Sequence, residues 1–210
     1  MPANVFVDET VVVPMLTRMM LPRWVLLEMA TKIGGERANV APNEPPQVAG
    51  FETWRWGTRF FREEATLKES SWISCDENQV AGIRNERLKL KLVVCSTNGN
   101  TGNPERHPKN ISMKGPASCG LIDKNNGQEA FSFMPADPPS FDLWYYCIHL
   151  SEKCISIEVS RPIAQSSGII TDFSDRIIIA KPGEIPGIRR VIVSEEFAEI
   201  PKPQVSRRQG

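Results

Sequence analysis

Two carboxylates pose the first chemical question. Asp142 and Glu158 stand on an apolar stretch that is folded in two by a short polar turn. Residues 143–150 and 154–160 are rich in aromatic and β-branched side chains, and Ser151-Glu152-Lys153 separates them. Such a pattern reads as two antiparallel strands. A turn at 151–153 sets Cys154 opposite Leu150 and Asp142 opposite Pro162. Both acids then fall on one sheet face, where a carboxylate pair can hold a divalent cation such as Mg²⁺. In that register they are four residues apart along the strand, roughly 13 Å at ~3.3 Å per residue. A bulge would have to close the gap.

The hairpin partly resembles the PD-(D/E)XK nuclease motif, through Pro139-Ser140-Phe141-Asp142 and Glu158-Val159-Ser160. The resemblance covers about 20 residues. It implies metal ligation by Asp142 and Glu158 and hydrolysis of a phosphodiester. The lysine of the motif is absent, because Ser160 stands in its place. Lys109 or Lys114, from a loop elsewhere, would have to activate the water. The same residues also describe two solvated acids on an ordinary hairpin.

The loop that carries those lysines runs over residues 96–118 and is dense in Asn, Gly and Pro. It holds Arg106, His107, Lys109 and Lys114 against one acid, Glu105. Its Asn and Gly residues can offer backbone N–H groups to an anion. No glycine spacing makes it a nucleotide P-loop. A second basic element is the helical segment with Arg55, Arg59 and Arg62 at i, i+4 and i+7, all on one face. With Arg106 and His107, these arginines form the candidate nucleic-acid-binding set. Glu52 and Glu63 can neutralise that stripe, and a solvated, ion-paired face is the competing expectation. Trp54 and Phe61 are expected in the core. His149, alternating with Tyr145 and Cys147, reads as a half-buried strand residue.

These groups must be positioned by regular elements. Residues 1–14 look extended, with a strand at 10–13. A helix runs from Pro22 to Ile33 and ends at Gly34-Gly35. Residues 37–50 read as a proline-rich loop. The clearest helix spans 51–68, with Phe51, Trp54, Thr58, Phe61 and Ala65 at helical spacing and Gly57 as its weak point. Residues 72–73 are extended, 79–87 are indeterminate, and 88–95 are a strand that enters the core. A short helix begins near Gly115, and 131–141 is proline-rich. Further strands are expected at 168–173, 176–180 and 188–193.

The chain has 210 residues, 40% of them apolar, with 25 basic and 25 acidic side chains. That supports a real core and gives no bulk electrostatic preference for nucleic acid. Five cysteines without a CxxC pair, and two histidines, do not make a zinc site. Scattered thiols without a secretory signal fit reduced cysteines and a cytoplasmic protein. The apolar segment 11–30 is interrupted by Pro14, Arg18, Pro22 and Arg23, so it reads as a core or interface segment and no membrane is implied.

The expectation is an α+β domain over residues 1–198. Its helices gather in 1–87, a mainly antiparallel sheet comes after them, and 199–210 form an extended tail. Two functions are compatible with this reading. One is a metal-dependent phosphodiesterase or nucleic-acid-associated protein with a degenerate site. The other is a non-catalytic interaction subunit, meeting a protein partner or a second copy of itself through 11–30 and 199–210.

Overall fold

The computed structural model describes residues 2–67, 71–127 and 141–189. The fold is α+β, built on one seven-stranded sheet in the order β1-β7-β6-β5-β4-β3-β2. The strands are β1 (Asn4–Phe6), β2 (Trp72–Cys75), β3 (Gly82–Asn85), β4 (Leu90–Ser96), β5 (Asp142–Leu150), β6 (Cys154–Ser166) and β7 (Ile169–Pro186). The helices are α1 (Glu9–Arg18), α2 (Arg23–Ala38), α3 (Pro46–Leu67) and α4 (Pro116–Asn125).

The sheet is mixed, not mainly antiparallel. β4 runs parallel to β5, and β1 parallel to β7. The reason is topological. The chain leaves β4, passes through α4 and enters β5, and such a crossover returns the chain in the same direction. Both faces of β5 are covered, so its sequence is continuously apolar. Trp144, Tyr146 and Ile148 pack with α1–α3, and Leu143, Tyr145 and Cys147 pack with Ile122 of α4.

The N-terminal residues differ most from expectation. Residues 10–13 belong to α1, because Asp8 caps the helix by accepting from the Thr10 N–H at 2.8 Å. Val12 and Leu16, four apart, then face the core. Segment 11–30 buries Val12, Leu16, Met19, Leu21, Leu26, Met29 and Ala30. No single described helix is long and apolar enough to cross a membrane.

Gly34-Gly35 do not end α2, which continues to Ala38. A Cβ on Gly34 would lie 3.0 Å from both Ile155 Cδ1 and Ile188 Cδ1, so the glycine serves helix–sheet approach. Gly57 has the same role in α3, where a Cβ would meet Val94 Cγ1 at 2.9 Å. Helix α3 begins five residues before the expected start, at Pro46 instead of Phe51.

The expected strands 168–173 and 176–180 are one strand, β7, and Ser167 and Gly168 make the turn before it with positive φ angles of 50° and 78°. The expected strand 188–193 is not formed at Ile188 and Arg189. Its remainder, the proline-rich passage up to 140 and the tail 199–210 lie outside the described residues.

Candidate functional site

The hairpin exists, but its register is one residue from the expected one. Leu150 pairs with Ile155 and Tyr145 with Ser160, so Glu158 sits opposite Cys147. Five residues separate Cys147 from Asp142 on β5, an odd number, and alternate side chains point to opposite faces. Asp142 and Glu158 therefore lie on opposite faces of the sheet, ~17 Å apart along the strand direction at ~3.3 Å per residue. The paired metal site expected from Asp142 and Glu158 is not formed. Among the described residues no cluster of three or more His, Cys, Asp or Glu side chains could hold a metal ion.

Each acid has a different partner. Asp142 is exposed and accepts from Arg161 Nη2 at 3.1 Å. Glu158 is fully buried, as is Arg176. Arg176 donates through Nε to Oε1 at 2.9 Å and through Nη2 to Oε2 at 2.6 Å. Ser160 Oγ donates to Oε1 at 2.7 Å, and the Gly102 N–H donates to Oε2 at 2.7 Å. A carboxylate with a bidentate guanidinium and two further donors has no oxygen left for a cation.

The 96–118 loop is tied down by this same anion. Of the backbone N–H groups that the loop's Asn and Gly residues can offer to an anion, that of Gly102 meets Glu158. Gly102 needs its φ of +74°, and a Cβ there would lie 2.5 Å from the Ala180 carbonyl oxygen. Arg176 Nη2 also donates to the Asn103 carbonyl at 3.0 Å. Asn110 donates to the carbonyls of Ser112 and Gly168 and accepts from the Ile170 N–H at 2.8 Å. The asparagines that made the loop look unstructured are its internal hydrogen-bonding groups.

The remaining candidates are dispersed. Lys109 and Arg106 are exposed on the loop. His107 Nδ1 is 3.5 Å from Asp172, with its ring edge-on to Phe173. Lys114 Nζ lies 4.8 Å from the centre of the Tyr145 ring. Beneath it, a hydrogen bond with Cys147 pulls the Cys95 thiol down to about 6 against the effect of burial, and Lys114 acts in the same direction. The arginine stripe is ion-paired throughout: Arg55 with Glu52 at 3.1 Å, Arg59 with Glu63 at 2.6 Å and Arg62 with Asp76 at 2.6 Å.

A different surface combines a cavity, exposed apolar groups and charge. A groove of about 590 Å³ lies between the first half of α3 and residues 111–114, over Val94 and Ser96 of β4. Phe51, Trp54 and Ile111 line it and are 55%, 41% and 60% exposed. The expected apolar stripe of α3 is thus only partly buried: Phe61 enters the core, whereas Trp54 and Phe51 face the groove with ring centroids 5.8 Å apart. Thr53 and Gly57 take the inward positions.

Among the described residues that line this groove two are cations, Arg37 and Lys114, and none is a carboxylate. Arg37, on the last turn of α2, is half-buried, and burial lowers its pKa with no acid opposing the effect. Among the described residues it has neither ion pair nor hydrogen-bond partner. Sequence reading missed it because 37–50 reads as a loop. The one signal available was that Phe51 and Trp54 extend the apolar stripe past the point where the helix leaves the core. No protein-family model matches this chain, and no curated protein or solved structure matches it either.

Proposed function

We propose that this chain is a non-catalytic interaction module whose groove docks an acidic peptide carrying an aromatic or aliphatic side chain. The observation that carries the reading is Arg37, a half-buried guanidinium that has no partner among the described residues, at the edge of an apolar groove whose described lining holds no carboxylate. Taking such a charge partly out of water is unfavourable until an anion meets it. Phe51, Trp54 and Ile111 supply the apolar contact that lets a short peptide bind in a groove. The phosphodiesterase reading loses its support because Glu158 is engaged by Arg176 and lies on the other sheet face from Asp142. Nucleic-acid binding by Arg55, Arg59 and Arg62 is disfavoured because each is already ion-paired. Five free cysteines agree with a reducing compartment such as the cytoplasm.

The test is fluorescence anisotropy with a labelled acetyl-Glu-Glu-Trp-Leu-Glu peptide, its Lys-for-Glu counterpart and a single-stranded oligothymidylate. The acidic peptide binds, the lysine peptide does not, and Arg37→Met weakens binding at least tenfold. Binding of the oligothymidylate alone would overturn the reading in favour of nucleic acid. Mg²⁺-dependent cleavage of plasmid DNA that Asp142→Asn abolishes would restore the phosphodiesterase.

A further inference from the structure

Two thiols stand side by side beneath the groove. Cys95 of β4 and Cys147 of β5 are directly paired in the parallel register. Both point to the α4 face, in the cluster that holds Tyr145 and Ile122. They are free thiols and are hydrogen-bonded to each other. Neighbouring strands lie about 4.8 Å apart. A disulfide needs its Cα atoms about 4.4–6.8 Å apart, so this pair can be bridged without moving a strand.

Their surroundings give the two thiols different chemistry. The hydrogen bond with Cys147 and the Lys114 ammonium pull the pKa of Cys95 to about 6, which makes it a thiolate at neutral pH. The thiolate is the nucleophilic form of cysteine. Cys147 keeps its proton: the same hydrogen bond, burial and the charges of Cys95 and of Glu158 opposite it push its pKa up. Lys114 connects the pair with the surface. β3 pairs with β4 only over Leu90–Leu92. Past that edge, the half-buried Lys114 lines the groove and also approaches Cys95. Cys95 therefore lies one side chain below the groove.

We propose that Cys95 and Cys147 form a reversible disulfide with hydrogen peroxide as oxidant, and that this bond strengthens the groove's hold on an acidic peptide through Lys114. The second part rests on the reading of the groove as an acidic-peptide site. The Cys95 sulfur attacks one peroxide oxygen. An S–O bond forms, the O–O bond breaks, and the departing hydroxide takes a proton from solvent to become water. The Cys147 sulfur then attacks the sulfur of the Cys95 sulfenic acid. An S–S bond forms, the S–O bond breaks, and the hydroxyl leaves with the Cys147 proton as a second water. The two thiols lose two electrons and the peroxide gains them. In the product the thiolate that faced Lys114 is gone. The ammonium then presents its whole charge to the groove, adding to that of Arg37.

The experiment uses the full chain and two readouts. In the first, the reduced chain is exposed to hydrogen peroxide, denatured with N-ethylmaleimide and digested without reductant. Mass spectrometry should find a Cys95–Cys147 linked peptide as the main disulfide. Dithiothreitol should remove it, and Lys114→Met should slow its formation at least fivefold. A main product that joins Cys119, Cys154 or two chains overturns the inference. So does the absence of any disulfide under peroxide that oxidises glutathione in the same tube. In the second, the labelled acidic peptide is titrated into the reduced and the oxidised chain. Oxidation should tighten binding at least threefold, and dithiothreitol should reverse the gain, as it would not for methionine sulfoxide. Cys95→Ser, treated alike, should show no change with peroxide. Equal binding by the two redox forms overturns the control of the groove by the thiols and leaves the peptide reading standing. If neither form binds the peptide, the reading of the groove is overturned and its redox control falls with it, while the mapped disulfide stands.

Discussion

Two charged side chains removed from full contact with water define opposite uses of burial in this molecule. Glu158 lies at the centre of the sheet with Arg176, Ser160 and Gly102 all donating to it. Arg37 lies at the end of α2 with no partner among the described residues and an open groove before it. The difference is satisfaction. A fully bonded buried ion holds its surroundings in place, and a half-buried ion without a partner is a site waiting for one. Glu158 is therefore scaffold, fixing the 96–118 loop against the sheet, and Arg37 is the candidate recognition group.

Substitutions separate the two regions. The largest effect belongs to Glu158→Ala, which strands Arg176 in the interior. We expect a loss of about 3–5 kcal/mol in urea unfolding. A chain that kept its stability would show that the ion pair is dispensable and would break the contrast. Next comes Asn110→Ala, which removes a buried side chain joining Ser112, Gly168 and Ile170. It should cost about 1–3 kcal/mol and speed hydrogen exchange in the loop. Arg37→Met should hold or raise the unfolding midpoint, because it replaces a desolvated charge by an apolar chain of similar length. A clear fall in the midpoint would make Arg37 structural. The smallest effect is Asp142→Asn, which removes one exposed ion pair with Arg161 and should change stability by less than about 1 kcal/mol.

The sequence carried the fold further than the site. The 51–68 periodicity, the hairpin around 151–153 and the apolar run before Ser96 all survive as α3, the β5–β6 pair and β4. The parallel β4–β5 pairing was not legible, because it depends on a crossover whose helix, α4, has only Ile122 and Asn125 buried. The site failed on parity. A shift of one residue in the hairpin, from Cys154 to Ile155 opposite Leu150, moved Glu158 to the other face from Asp142. No local signal in Ser151-Glu152-Lys153 fixes that register. Arg176, the partner that decides the role of Glu158, lies 18 residues away in sequence and on another strand. Arg55 and Arg59 could be matched with Glu52 and Glu63 because those pairings are local in the helix. Arg37 could not be singled out, since lacking a partner is a property of the folded surface alone.

The central claim is that the charge of Arg37 selects the ligand of the groove. Charge reversal tests it most directly. The Arg37→Glu chain is titrated in parallel with the native one against the Glu-bearing and the Lys-bearing peptides, with circular dichroism and a urea midpoint confirming that both chains are folded. The native chain should prefer the acidic peptide, and the reversed chain should lose it at least tenfold and gain the basic one. Identical peptide preferences in two equally folded chains would contradict the account.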